Sequence, residues 1–437
     1  MTMIDLGEVA LDPAPPAVPV NVPRVRRAVL AGLALLGSLV LTGAAPPAPP
    51  TVRTLWTTPL DNGESVSLSG DTAFLNRMTD RGGAEVAAYD LATGRLRWAA
   101  PTGETLAGFT PLVTANRVLV ATEVVNLAET RPEQSRYIMY ARATIALDAT
   151  TGAERWRVAG DFNTGMDDST GLVTEYDDAG QLIRLLLVRL SDGHELWSRP
   201  LTGLASWSTI YQDDQPTGIV TVTASGELRI YGYDDGKLRR SARVPWDPER
   251  SELFTAGPYL ALRHSRANRA STTLYRPGDL RALWHTDDEL GYVTGCDRLL
   301  CTIDGGGVAG RDPQTGQEVW RHPGMQGLRA LGPGRLLLDD GRGGPDGTHQ
   351  VVEAGSGRPV GEPGVGTPMW NRSKGSILVM QRSEAPVGRY AVRRLDVSTG
   401  ARTLLGTIAP LGDAGCLGTE RYLACTNYGT LTVTAVG

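Results

Sequence analysis

The sequence predicts an all-β propeller of four-stranded blades, eight in number, closed by strands from both chain ends and preceded by one transmembrane helix. Three observations carry this reading: a turn motif that recurs at blade spacing, strand-like runs between its copies, and two chain ends that each hold part of one repeat.

The motif is plainest at Leu147-Asp148-Ala149-Thr150-Thr151-Gly152, running on to Trp156. Equivalent copies are Asp90 to Gly94 with Trp98, and Asp312 to Gly316 with Trp320. Asp396 to Gly400 keeps the turn but has Leu404 in the tryptophan's place, and Asp192-Gly193 before Trp197 is one residue shorter. Weaker relatives are Asp234-Asp235-Gly236, Pro277-Gly278 before Trp284, and Gly355-Ser356-Gly357. Successive tryptophan-type positions lie about 36 to about 58 residues apart and cluster in the low forties, the period of a four-stranded blade. Asp and Thr side chains accept backbone N–H groups within a tight reversal, and Gly takes the positive φ that the reversal needs. The motif is therefore a hairpin turn.

Strands flank the turns. Arg117-Val118-Leu119-Val120-Ala121 and Leu185-Leu186-Leu187-Val188 run apolar before them, and a short segment ending in Trp follows. A lone four-stranded sheet cannot bury both its faces, so neighbours must stack, and an indole fills the space between adjacent blades. These tryptophans read as structural.

Composition agrees. Of 437 residues, 41% are hydrophobic and 21% charged, with 53 Gly and 28 Pro to supply turns, which describes a globular chain with a large core. A formal net charge of -5 and the lack of a basic run in the repeats exclude nucleic acid as the expected partner.

From the N-terminus, residues 1–27 read as a disordered cytoplasmic tail, Pro- and Val-rich with no periodicity. Arg24, Arg26 and Arg27 precede an uncharged apolar run over 28–45, long enough for a membrane-spanning helix. Basic residues before it hold that side in the cytoplasm and place the repeats outside. The rival reading is a signal peptide cleaved near Thr42-Gly43-Ala44, leaving a secreted protein; the long leading segment favours the single-pass anchor in the cell membrane. No Cys lies near the end of the run for lipid attachment. Residues 46–52 are a stiff Pro-rich spacer, and the propeller domain spans 53–437.

Thr54-Leu55-Trp56-Thr57-Thr58-Pro59-Leu60 resembles the last strand of a repeat without its first three. The C-terminal residues 415–436 supply strand-like runs that stop without a Thr-Gly turn or a closing Trp. Joined, they complete a split blade, which closes the ring and removes free sheet edges. Accepting every weak turn gives eight full repeats plus the split one, whereas dividing the chain by a generous blade length gives eight in total, the number adopted. The segment from Val124 to Tyr140 reads as an irregular loop protruding from the disc.

Cys296, Cys301, Cys416 and Cys425 fall at matching places in their repeats. Pairing 296 with 301 and 416 with 425 has the shortest loops and suits hairpins in an oxidising compartment; buried free thiols are the alternative, and the spacing does not suit zinc.

The Asp-x-x-Thr-Gly-x-x-x-Trp units at 90–98, 148–156 and 312–320 resemble the repeats of the pyrroloquinoline-quinone-like propeller superfamily, which includes quinoprotein alcohol dehydrogenases and the BamB-type outer-membrane assembly factor. The resemblance covers the chain after Arg53 and implies the fold; one fold hosts dehydrogenases, scaffolds and sensors alike. In the quinone enzymes the cofactor is described as lying between a Trp and a disulfide of adjacent cysteines. No Cys-Cys pair occurs here, so no cofactor-binding, catalytic or metal-binding residue is carried over and no cofactor is expected.

Other constellations lead nowhere decisive. His194, His264, His285, His322 and His349 are scattered, and no metalloprotease, nucleophile-elbow or phosphate-loop pattern occurs. The loop Asp339 to Gly347 invites calcium but lacks alternating ligands and a terminal Glu, so it reads as a solvated turn. Asp167-Asp168, Asp177-Asp178 and Asp213-Asp214 suit glycosidase-type work only if brought together on one face. The leading functional reading is a membrane-anchored, extracytoplasmic scaffold or sensor that binds an envelope protein or polysaccharide without catalysis, using the 124–140 loop, Trp207, Trp246 and Trp370. The alternative is a quinone-dependent oxidoreductase, or another enzyme, working in the central channel. The lipoprotein anchor of the assembly factor is missing, so its scaffolding logic transfers and its specific partner does not.

Overall fold

The computed structural model describes residues 52–61, 63–103, 108–112, 115–130, 135–163, 169–212, 215–266, 269–287, 290–369, 375–409, 415–427 and 429–436. The expected tail, the membrane helix over 28–45, and the spacer apart from Val52 lie outside them, as does Trp370. Among the described residues every regular element is a strand, and no helix is long and apolar enough to cross a membrane.

The strands form nine four-stranded antiparallel sheets, not eight. Blade 1 holds Ser65–Ser69, Thr72–Met78, Ala84–Asp90 and Leu96–Gly103, ordered from the innermost strand outwards. Blade 2 runs from Phe109–Leu112 to Glu154–Ala159, blade 3 from Asp161–Asn163 to Glu195–Pro200, and blade 4 from Leu204–Gln212 to Leu238–Arg243. Blades 5 to 8 end on Arg281–Thr286, Glu318–His322, Pro359–Val365 and Arg402–Ile408. In blade 9, Cys416–Gly418, Tyr422–Asn427 and Thr430–Ala435 come from the C-terminus and the outer strand, Arg53–Pro59, from the N-terminus. Arg53 pairs with Ala435 and Pro59 with Thr430, so the expected split blade closes the ring. Every weak turn in the sequence is a real hairpin between the third and fourth strands of a blade. The repeats simply vary in length more than an averaged division allows.

Burial follows from stacking. The two middle strands of a blade are covered on both faces and are apolar without alternation, as in Leu185–Val188 and Leu260–Leu262. Outer strands face solvent at every second residue, and Leu96–Gly103 alternates exposed and buried from Arg97 onward. Each cluster spans a joint: Phe74, Val86, Ala88 and Trp98 of blade 1 pack on Val118, Val120, Ile145 and Leu147 of blade 2.

The segment from Val124 to Tyr140 is not an irregular loop. Arg117–Thr130 and Ser135–Asp148 pair in one register from Arg117↔Asp148 to Thr130↔Ser135, making a two-stranded ribbon far longer than its blade. It leans on blade 3: Tyr140 stacks on Tyr176 at 4.9 Å, its hydroxyl donates to the Asp177 carbonyl at 2.9 Å, and Arg142 pairs with Asp178 at 2.7 Å. Both disulfides form as expected, Cys296–Cys301 in blade 6 and Cys416–Cys425 in blade 9, and no described cysteine is free.

Candidate binding clefts at the unlocked joints

Each motif turn is built from its own donors. In blade 8 the Asp396 carboxylate accepts the N–H and hydroxyl of both Ser398 and Thr399 at 2.6–2.9 Å, and the Gly400 N–H donates to the Asp396 carbonyl. The Ser398 hydroxyl and the Thr399 amide and hydroxyl hold this carboxyl down at about 2. Asp90 is likewise held at about 2, by the Arg97 guanidinium first and the Thr93 hydroxyl second. At Asp148 burial works the other way but is outweighed by Arg155 and by the Thr150 and Thr151 amides.

The turn glycine then receives the tryptophan of the preceding blade. At Gly94, with φ +70°, an added Cβ would lie 2.6 Å from Cγ of Trp56; at Gly152, with φ +73°, it would lie 2.6 Å from Trp98 Cε3. The same contact joins Trp156 to Gly193, Trp197 to Gly236, Trp284 to Gly316 and Trp320 to Gly357. Each indole N–H also donates to a carbonyl of the receiving blade: Trp56 to Leu91 at 2.9 Å, Trp98 to Ala149, Trp156 to Leu190 and Trp320 to Ala354 at 3.0 Å, Trp197 to Tyr233 at 2.8 Å, and Trp284 to Pro313 at 3.2 Å. Glycine is needed twice over, for its backbone and for the missing side chain. Trp and Gly together form a lock between blades.

Three joints lack it. Between blades 8 and 9 the tryptophan position is Leu404, and blade 9 takes its outer strand from Arg53–Pro59 rather than through a motif turn; Met380 and Ile408 of blade 8 pack instead on the blade 9 disulfide. Between blades 7 and 8 Gly361 approaches the Gly400 main chain, where a Cβ on Gly361 would lie 2.9 Å from the Gly400 Cα. Between blades 4 and 5 both partners are exchanged. Arg240 stands four residues after Gly236, where Trp belongs, and Leu280 takes the receiving position with φ 56°. Its N–H makes the turn bond to the Arg276 carbonyl at 2.8 Å, as Gly94 does to Asp90. A bulky residue at positive φ is strained, and the Leu280 side chain packs against the core cluster of this joint.

Two clefts among the described residues open at unlocked joints. The larger, ≈ 580 Å³, is a radial groove between blades 4 and 5, running from Gln212 near the axis to Arg240 at the rim. Its floor includes Ile210, Ile230, Tyr231 and Pro258, and Arg239, Arg240 and Arg276 stand along it. Arg239 pairs with Asp235 at 2.8 Å; Arg276 reaches Gln314 at 2.7 Å and Asp279 at 3.5 Å. Arg240 donates only to carbonyls, those of Gly278 and Arg239 at 2.9 Å, and no described carboxylate lies within ion-pair distance of it. The smaller cleft, ≈ 410 Å³, lies between blades 7 and 8 and is lined by Gly332, Arg335, Gly375 and Asp396 among others.

The residues singled out from sequence go elsewhere. Trp207 and Trp246 are half-buried against core clusters and are not the exposed contacts expected; Trp246 packs with Leu280 and Tyr275 beside the unlocked joint. Asp177 accepts the Ala179 and Gln181 amides of its own turn, while Asp167, Asp168, Asp213 and Asp214 lie outside the described residues. In the loop from Asp339 to Gly347, Asp340 accepts the Thr348 amide and hydroxyl, and Asp346 pairs with Arg382 at 3.0 Å. Among the described residues no group of three His, Cys, Asp or Glu side chains could hold a metal ion. His349, grouped with the scattered histidines from sequence, is fully buried at the joint of blades 7 and 8. Burial first and the Arg402 charge second lower its pKa to about 4, and its Nδ1 lies 3.2 Å from the Gly366 carbonyl.

Pyrroloquinoline quinone does not fit these residues. The disulfides join non-adjacent cysteines buried between strands, and the described tryptophans are engaged at joints or in core clusters. No adjacent-cysteine platform exists on which to stack a quinone.

The family model described as outer membrane protein assembly factor BamB matches residues 47–271. Among solved structures, BamB from Moraxella catarrhalis is 13% identical, with 88% of this chain and 100% of that chain covered and a TM-score of 0.42. A eukaryotic initiation factor is 10% identical over 83% of this chain and 91% of its own, with a TM-score of 0.51. The computationally designed Ika8 protein is 12% identical over 89% and 98%, with a TM-score of 0.41. None of the curated proteins matches. At such identities a structural likeness speaks only to fold, but the family model covers more than half of the sequence, and the chain belongs to the BamB-like family of PQQ-like repeat propellers.

Proposed function

We propose that this chain is a protein-binding scaffold, tethered to a membrane through residues 28–45 and carrying its propeller on the extracytoplasmic side. The observation that supports the scaffold reading best is the pattern of joints. Six joints carry a Trp–Gly lock, and two grooves among the described residues lie where locks are absent, beside the motif turns. Preformed grooves reduce the ordering cost of binding. The family's description as an assembly factor agrees with protein binding, and the arginines at 24, 26 and 27 with the orientation. Two hairpin disulfides suit an oxidising compartment.

The test is photo-crosslinking in the native cell with benzoylphenylalanine at Gln212 in the large groove and, as control, at Arg95 beside a locked joint. The expected result is a discrete protein adduct from position 212, and a complex of the same protein with the purified chain. A chain that captures no protein, but takes up pyrroloquinoline quinone with saturable heat and gains redox activity, would overturn the proposal.

A further inference from the structure

We infer that the groove between blades 4 and 5 is a binding site for an acidic peptide segment, in which a carboxylate side chain pairs with Arg240 and apolar neighbours enter the groove; this rests on the protein-scaffold reading above. The groove has the required chemistry along its length. Ile210, Ile230 and Pro258 give it an apolar floor, and it reaches from the axis to the rim, so it suits an extended chain better than a compact small molecule.

Arg240 carries the electrostatic part. Some arginines near the turns have carboxylates of their own, as Arg97 has Asp71 and Asp90, and Arg155 has Asp148, whereas Arg199 at a locked joint donates to the Gly236 carbonyl at 2.8 Å. Arg240 is anchored by Nε to the Gly278 carbonyl and left without a carboxylate partner among the described residues. With Nε on the Gly278 carbonyl and Nη1 on the Arg239 carbonyl, the guanidinium is fixed in its plane and its Nη2 donors remain for a carboxylate.

An independent observation lies in the outer strands. Leu238–Arg243 has Arg239, Arg240 and Arg243 and follows Lys237, whereas the outer strands of blades 1, 5, 8 and 9 carry one arginine each; Asp234 is the one carboxylate among the lining residues, against Arg239, Arg240 and Arg276. The positive charge is concentrated at the one joint where Trp and receiving Gly have both been exchanged for larger or charged side chains. On a chain of net charge -5 this is a local inversion. It attracts acidic segments and repels basic ones, and salt weakens the attraction.

The experiment uses the full chain and fluorescence anisotropy with a fluorescein-labelled decapeptide of alternating glutamate and leucine, against a lysine–leucine counterpart. Saturable binding of the acidic peptide alone is expected, weakened about tenfold or more by Arg240→Glu and unchanged by Arg95→Glu, an equal charge reversal beside a locked joint. Arg240→Gln, a milder change, is expected to weaken binding in the same direction and guards against a folding defect. Equal loss from Arg95→Glu, absence of saturable binding, or equal competition by polygalacturonate, which would make the groove a general polyanion site, each overturns the inference. In-cell protein adducts that persist in Arg240→Glu would also overturn it while leaving the scaffold reading intact; loss of all protein adducts in the unsubstituted chain would remove both.

Discussion

The joint between blades 1 and 2 and the joint between blades 4 and 5 share one turn bond and differ at both positions of the lock. In the first, Trp98 lies on Gly152 and donates to Ala149; in the second, Arg240 meets a turn whose glycine is Leu280. The receiving turns close with the same amide-to-carbonyl bond of 2.8 Å, Gly152 to Asp148 and Leu280 to Arg276. The turn is therefore not what opens the groove. The missing indole is, and at this joint Arg240 in its place leaves a lined cavity. Blade stacking sets the fold, and exceptions to the lock decide where the surface is available for binding.

Breaking a lock has the largest expected effect. Trp98→Ala removes a buried ring and leaves the Ala149 carbonyl without its donor, at a cost of about 3–5 kcal/mol. Gly152→Val forces a β-branched residue to positive φ against the indole and is expected to cost about 3 kcal/mol or more. Arg240→Ala is expected to change stability by less than about 0.5 kcal/mol, because its side chain is exposed. Thermal denaturation of the three variants checks this ordering, and equal shifts would dissolve the distinction between joints.

Installing a lock is the converse. Arg240→Trp with Leu280→Gly is expected to stabilise the ring by about 1 kcal/mol and to abolish peptide binding in the groove, while Arg240→Trp alone is expected not to stabilise, because Leu280 stands where the receiving glycine would. Denaturation together with peptide anisotropy reads both effects. A single substitution that works as well as the double would show that Leu280 is no obstacle.

The smallest effect separates the two unlocked joints by pH. His349 lies between blades 7 and 8, facing Arg402, Asp339 and Asp340, and its pKa is lowered from the ordinary 6.5 to about 4. The unfolded chain binds this proton more readily, so the stability that neutral His349 contributes is complete above about pH 6.5 and is lost as pH falls through 4. His349→Gln is expected to flatten the fall of Tm between those values. Asp90 and Asp396, held at about 2, lose their contribution lower, as pH falls from about 4 towards 2, and do not confuse the comparison.

Much of this was legible in the sequence because the lock writes itself there. Asp, Thr, Gly and Trp occupy fixed offsets wherever an indole must sit on a turn, so the blades, the structural role of the tryptophans and the split closure could be read directly. The weak turns at Pro277-Gly278 and Gly355-Ser356-Gly357 are visible and, with the others, sum to nine blades; the count of eight fails because the division assumes one averaged blade length. The ribbon from 117 to 148 looked irregular since its outer half pairs only with itself and carries mixed polar and apolar residues. The groove could not be read at all. It exists because Arg240 and Leu280, forty residues apart, face each other across a joint.

Hydrogen–deuterium exchange of the full chain tests most directly whether the indole is what closes a joint. The amides of Gly152 and Leu280 donate to equivalent carbonyls at the same distance, so a difference in their protection reports the covering tryptophan. Protection at Gly94, Gly152, Gly193, Gly236, Gly316 and Gly357 is expected to exceed that at Leu280 by about tenfold or more. Protection at Leu280 equal to that of the locked glycines would contradict the account, since the groove would then be as firmly closed as the joints that carry a tryptophan.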